Sequence, residues 1–178
     1  MNILVHICCG PCAVHPFEKL IDEGHRVAGY WYNPNIHPYR EYKERLESLK
    51  KLESLTRFEM IYFDSYDLEK YLESVMPDLD RRCMHCYDLR LMQTATYAKE
   101  NGFDAFSSTL LVSPYQDQDW IRDVGAAVQE KTGVRFLDID FTPGFRDGKQ
   151  KAYDMGLYMQ KYCGCIFSER ERYEKKKP

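Results

Sequence analysis

Between residues 7 and 13 the hydrophobic period changes from that of a strand to that of a helix, and the stretch HICCGPC (residues 6–12) spans the change. Residues 2–7 form a short apolar run (Ile3, Leu4, Val5, Ile7), and from Ala13 onward Val14, Phe17, Leu20 and Ile21 share one helical face. A buried strand that passes through a glycine turn straight into a helix opens an α/β fold. In open α/β sheets the crevice beyond the carboxyl ends of the strands takes ligands, and a helix N-terminus there favours anions, thiolates included. Cys8, Cys9 and Cys12 are expected in that turn. Gly10 and Pro11 shape it, and Pro16 fits a helix that starts near Cys12 or Ala13, where its missing N–H falls in the first turn.

Further strands and helices alternate along the chain. Strands are expected over 25–32, 58–63, 103–107 and 134–139, with helices over 39–55, 67–75, 87–101, 118–132 and 152–160. The pattern predicts a single α/β domain built on a doubly wound parallel sheet of about five strands with helices on both faces, closed by a helical basic tail over about 166–178. Length agrees, since 178 residues at 44% hydrophobic content suffice for one substantial core. No apolar run approaches bilayer length.

Cys83-Met-His-Cys86 and Cys163-Gly-Cys165 hold the remaining four of seven cysteines, the first expected just before a helix. An odd count, a start without the features of a signal peptide and a length beyond that of small disulfide scaffolds point to a reducing, cytoplasmic compartment. There CxxC signals metal or redox chemistry. A cubane iron-sulfur cluster and a closed structural zinc site both take four thiolates, so ligand number alone leaves both open. Placement at strand ends tilts toward a redox cluster over a structural zinc, thiol-rich RNA-binding module. A nucleotide-binding α/β enzyme of the ATP pyrophosphatase type would share the strand–turn–helix start, but the turn carries thiols in place of a GxGxxG or GxxxxGK run. A thioredoxin-like reductase would leave five cysteines unused.

The combination of CCGPC after the first strand, RCMHCYDLRL around the CxxC, STLLVSPYQD, and YCGCIFS near the end resembles the QueH-type epoxyqueuosine reductases over residues 3–173. The resemblance implies a Rossmann-like (HUP-like) fold and the last step of queuosine synthesis, in which the epoxide of the modified base at the tRNA wobble position is reduced to a cyclopentene. By position it implies that Cys8, Cys9, Cys83 and Cys86 ligate a [4Fe-4S] cluster and that Cys163 and Cys165 form a redox-active pair served by an electron donor the sequence does not identify. Cys12 then stands ready for an additional iron beside the cluster. No flavin or nicotinamide fingerprint is visible, in keeping with iron handling the electrons.

Proton donors to the leaving oxygen are sought at strand ends, where His85, Tyr115, Asp117 and Asp147 fall. His37, in a proline-bounded loop, is read as a solvated side chain rather than a ligand. A net charge of −3 argues against a broad nucleic-acid footprint. RNA contact is therefore expected from a local basic rim of Arg146, Lys149, Lys151 and the 170–177 tail, with Tyr115, Trp31 or Tyr32 stacking on an extruded base.

Overall fold

The computed structural model describes residues 1–174. Five parallel strands, β1 (Asn2–Ile7), β2 (Arg26–Trp31), β3 (Glu59–Tyr62), β4 (Ala105–Ser108) and β5 (Arg135–Phe136), form one sheet in the order β3-β2-β1-β4-β5. Its helices are α1 (Gly10–Asp22), α2 (Tyr39–Thr56), α3 (Leu68–Val75), α4 (Arg82–Glu100), α5 (Gln118–Thr132), α6 (Phe145–Asp154) and α7 (Ile166–Tyr173). This is the expected doubly wound, Rossmann-like architecture.

Right-handed crossovers place α1 and α2 on one face and α4 and α5 on the other, because the strand order reverses at β1. The packing follows: α1 lies against α2 and α6, and α4 against α3 and α5. Covered on both faces, β1 reads as an apolar run, and Ile3, Leu4, Val5 and Ile7 have no exposed surface. Each such side chain contributes about 1.5–3 kcal/mol through burial. β1 pairs with β2 from Asn2↔Arg26 to Ile7↔Trp31 and with β4 from Ile3↔Ala105 to His6↔Ser108, so the ends of β1 and β4 stand side by side.

Several boundaries differ from expectation. α1 begins at Gly10, which puts Pro16 in the helix interior and leaves the Cys12 carbonyl without the N–H of residue 16. α4 begins at Arg82, so the CxxC lies inside the helix instead of before it. The stretch 141–151, expected to precede a helix over 152–160, is itself largely helical. α6 occupies 145–154, and 155–160 is irregular. The glycines there serve packing: a Cβ on Gly144 would stand 2.2 Å from the His15 ring, and one on Gly148 3.0 Å from the His15 Cβ, so both permit α6 to lie directly on α1. Among the described residues, no helix is long and apolar enough to cross a membrane. The helical part of the basic tail ends at Tyr173, and Lys175, Lys176 and Lys177 lie outside the described residues.

Candidate active site

The strand order reverses between β1 and β4, the position at which doubly wound folds open a ligand crevice. Here β1 delivers Cys8 and Cys9, and the first turn of α1 returns Cys12 to them. The three Sγ atoms lie within 4.8 Å of one another, with Cys8 and Cys9 Sγ 3.7 Å apart. Across the switch point Thr109, which follows β4, accepts the Cys8 N–H at 3.1 Å and donates its hydroxyl to Cys8 Sγ at 3.3 Å. The Gln160 amide donates to Cys9 Sγ at 2.9 Å and to Cys12 Sγ at 3.5 Å.

Protons are shared unequally in this group. Hydrogen bonds from the Cys12 and then the Cys9 thiol hold Cys8 well below the ordinary thiol range. Burial raises Cys9, and bonding to Cys8 and Cys9 together with burial raises Cys12. Cys8 is thus the one of the three that most favours its thiolate. Beneath it His6 is buried and bonded to Ser108 Oγ (3.1 Å) and the Tyr32 carbonyl (3.2 Å). Burial, with Arg90 adding to it, lowers its pKa to about 3, so the imidazole is neutral.

The other four thiols stand outside that group, near one another and near Arg90. Cys86 is buried against Tyr71, Val75 and Cys165, with Phe167 packed on the same cluster. Burial first, and then the neighbouring Cys163 and Cys165 against the opposing pull of Arg90, push Cys86 up to about 12. Cys83 is raised by burial and by Cys163. Cys163 is exposed and accepts from the Gln116 amide at 3.4 Å, while Cys165 caps α7 by accepting the Ser168 N–H at 3.3 Å. All seven thiols are free.

Two buried guanidinium groups join these elements. Arg45, on α2, bonds Glu41 at 2.7 Å and donates to the carbonyls of Cys163 (2.8 Å) and Tyr162 (2.9 Å), which clamps the CxC loop. Arg90 is 1% exposed, donates Nε to the Cys86 carbonyl at 3.1 Å and has no partner for Nη2 among the described residues. The ionisable groups around it are Cys86, Cys163, Cys8 and Tyr87. A buried cation without a carboxylate is costly unless anions face it, and thiols of both groups that can ionise face this one.

A cavity of about 560 Å³ opens above the triad. Cys8, Cys12 and Cys163 border it with five cations, Arg45, Arg90, Lys149, Lys161 and Arg172, and no carboxylate is among the described residues lining it. The neutral-to-acidic whole thus hides a basic hollow.

The expected site residues distribute as follows. Tyr115 lines the cavity, whereas Asp117 caps α5 by accepting the Trp120 N–H at 3.0 Å and is not in the lining. His85 lies by Asp78 at 3.5 Å, and neither it nor Asp147 borders the cavity. Lys149 is at the rim. Arg146 faces a shallow neighbouring depression, and Lys151 is paired with Glu18 at 2.6 Å. Trp31 and Tyr32 have no exposed surface and cannot stack on a ligand. His37 is 2% exposed, not solvated. Its Nδ1 accepts the Ile166 N–H at 3.4 Å and its ring packs on Tyr66 and Tyr71. Arg45, Arg90, Gln160 and Lys161 were not singled out from sequence, whereas Arg172, which lines the cavity, belongs to the expected 170–177 rim. For the first two a signal existed, a charged residue on the apolar face of its helix, one turn after Glu41 and Cys86 respectively.

Comparison with known proteins agrees with the motifs. The family model described as epoxyqueuosine reductase QueH matches residues 3–171. The epoxyqueuosine reductase QueH of Dehalococcoides mccartyi is 40% identical over 98% of this chain and 96% of its own. That of Thermotoga maritima is 32% identical over 98% and 93%. Among solved structures, a predicted subunit of tRNA methyltransferase from Methanocaldococcus jannaschii superposes with a TM-score of 0.58 at 11% identity, over 86% of this chain and 74% of that one, a likeness of fold. By family model and by relatives of nearly equal length, this chain belongs to the epoxyqueuosine reductase QueH family.

Proposed function

We propose that this chain reduces the epoxide of epoxyqueuosine at the tRNA wobble position to the alkene of queuosine, using a [4Fe-4S] cluster held by Cys8, Cys9, Cys83 and Cys86. The observation that carries the reading is the Cys8–Cys9–Cys12 thiol group at the switch point, opening into a cation-lined cavity. The donor set suits a metal centre at the triad: Cys8, Cys9 and Cys12 Sγ lie within 4.8 Å of one another and Cys8 favours the thiolate, while Cys83 and Cys86 stand outside that group. Cys12, beside Cys8 and Cys9, is the donor for an additional iron.

When bound, the cluster supplies the electrons: opening both C–O bonds of the epoxide to leave an alkene and water takes two electrons and two protons. The protein binds and orients. Thr109 and Gln160 hold the triad sulfurs, and Arg45 and Arg90 offset their negative charge. The cavity, at about 560 Å³, has room for one extruded nucleoside, as enzymes acting on a base in RNA require. Tyr115 carries a hydroxyl at its mouth, the remaining proton-donor candidate after Asp117, which is engaged as a cap. Cys163 and Cys165, proposed as a relay, would release two electrons and two protons on closing to a disulfide, the number the epoxide consumes. An external reductant then reopens the pair. Free thiols in this number suit a reducing cytoplasm.

Anaerobic reconstitution with iron and sulfide tests the reading. The protein should turn brown, carry about four or more irons per chain, and convert epoxyqueuosine in tRNA when given a chemical reductant. A colourless protein that holds one zinc tightly and gives no turnover would sink it.

A further inference from the structure

The cavity mouth carries an aromatic ring whose face the epoxide chemistry does not use. Tyr115 is 82% exposed, yet its loop is fastened from several directions. The Gln118 amide donates to the Leu110 and Ser113 carbonyls at 3.3 and 2.8 Å, the Gln116 N–H bonds the Ser113 carbonyl at 3.2 Å, and the Tyr115 N–H bonds Ser113 Oγ at 3.3 Å. The ring meets Phe145, the first residue of α6, edge to face at 5.9 Å, and one turn later Lys149 sets its ammonium 5.4 Å over the Phe145 ring. A large aromatic face is thus presented to solvent on a braced loop beside a cation.

Lys161 and Arg172 complete the mouth. Among the described residues, Lys149, Lys161 and Arg172 have no ion pair, although nearby cations do: Lys151 with Glu18, Arg82 with Glu171 and Arg170 with Glu174. Three unpaired cations around a hollow that already holds Arg45 and Arg90 repel one another, and an anion spread along the rim relieves that repulsion.

We propose that this ledge binds the RNA nucleotide flanking the one that enters the cavity, with its base stacked on Tyr115 and the adjoining phosphates held by Lys149, Lys161 and Arg172. The inference rests on the reading that the substrate is a modified base in RNA and adds where the neighbouring nucleotide sits. Stacking on an exposed ring beside backbone-tracking cations is how single-stranded RNA is gripped without reading its sequence. An acidic polypeptide would use the cations and leave the ring idle.

Binding of a synthetic anticodon stem-loop RNA to the anaerobically reconstituted protein, followed by fluorescence anisotropy over a series of salt concentrations, decides the matter. Tyr115→Ala should weaken binding roughly tenfold, within the range for loss of one base–aromatic stack, whereas Tyr115→Phe, which keeps the ring and loses the hydroxyl, should bind like wild type. Lys161→Gln with Arg172→Gln should flatten the log–log salt slope by about 1.4 to 1.8. The ledge is refuted if Tyr115→Ala binds as tightly as wild type, if Tyr115→Phe is as weak as Tyr115→Ala, or if the double variant keeps the full slope. Displacement of the RNA by polyglutamate as readily as by oligouridylate of equal charge would also refute it and favour an acidic protein partner. Failure of the wild-type protein to bind the stem-loop at low salt is a different outcome, because it removes the RNA reading itself.

Discussion

Arg90 shows how a single side chain exposes the logic of this site. Its guanidinium is 1% exposed, lacks a carboxylate partner and leaves Nη2 unbonded among the described residues, a state that costs several kcal/mol unless negative charge surrounds it. The sulfurs of Cys86, Cys163 and Cys8 surround the guanidinium, and the arginine pulls each of them toward the thiolate, although burial keeps Cys86 and Cys163 raised and only Cys8 is lowered. Cys12 is the complementary case. It bonds the Cys8 thiolate and is itself raised by that bond, hence protonated while no metal displaces its proton. Cys12→Ser should therefore leave a brown protein with the cluster spectrum, lower the iron content by about one per chain and abolish turnover. Retained turnover and iron content in that variant would make Cys12 a packing residue.

Among the elements, the CxC loop is the one whose shape depends most on distant parts of the chain. The Arg45 guanidinium grips the Tyr162 and Cys163 carbonyls, the His37 N–H bonds the Gly164 carbonyl at 2.7 Å, and Tyr162 OH bonds the His37 carbonyl at 2.5 Å. Gly164 sits at φ 139°, and a Cβ there would come within 3.2 Å of Arg45 Nη1 and of Ile36. The placement of the thiol groups at a turn or a helix start was legible in the sequence. The clamp was not legible, because no local pattern in 162–165 announces a guanidinium more than a hundred residues away. Helix starts were misjudged because Gly10 is a weak helix former, yet α1 begins there with Pro11 in its first turn, and because 82–86 carries little apolar period, yet α4 begins at Arg82. Gly164→Ala should cost about 1–3 kcal/mol from backbone strain and speed alkylation of Cys163 as the loop loosens. Urea unfolding and iodoacetamide kinetics indistinguishable from wild type would contradict this.

For the molecule as a whole, the alternation of strands and helices was readable because hydrophobic period survives any tertiary context, whereas most of the basic cavity was not, since Arg45, Arg90 and Lys161 are scattered in sequence and cancel in a net charge of −3. His37 was misread for the same reason: the prolines around it suggest a surface loop, yet the aromatic residues Tyr66 and Tyr71 and the start of α7 close over it. Burial lowers its pKa from 6.5 to about 4. Above pH 6.5 the folded and unfolded chains both carry it neutral, and its contribution to stability is complete. As pH falls from 6.5 toward 4 the unfolded chain takes up a proton that the folded one refuses, so stability is lost by up to about 1.4 kcal/mol per pH unit, roughly 3 kcal/mol in all. Metal-bound thiolates lose stability in acid as well, but that part is common to wild type and variant. The difference between the two isolates the histidine. Urea unfolding at a series of pH values should give His37→Gln a lower stability at pH 7 and a flatter fall between pH 6 and 4.5. Parallel curves would mean that His37 accepts its proton in the folded protein and that the closure over it opens in acid before the molecule unfolds.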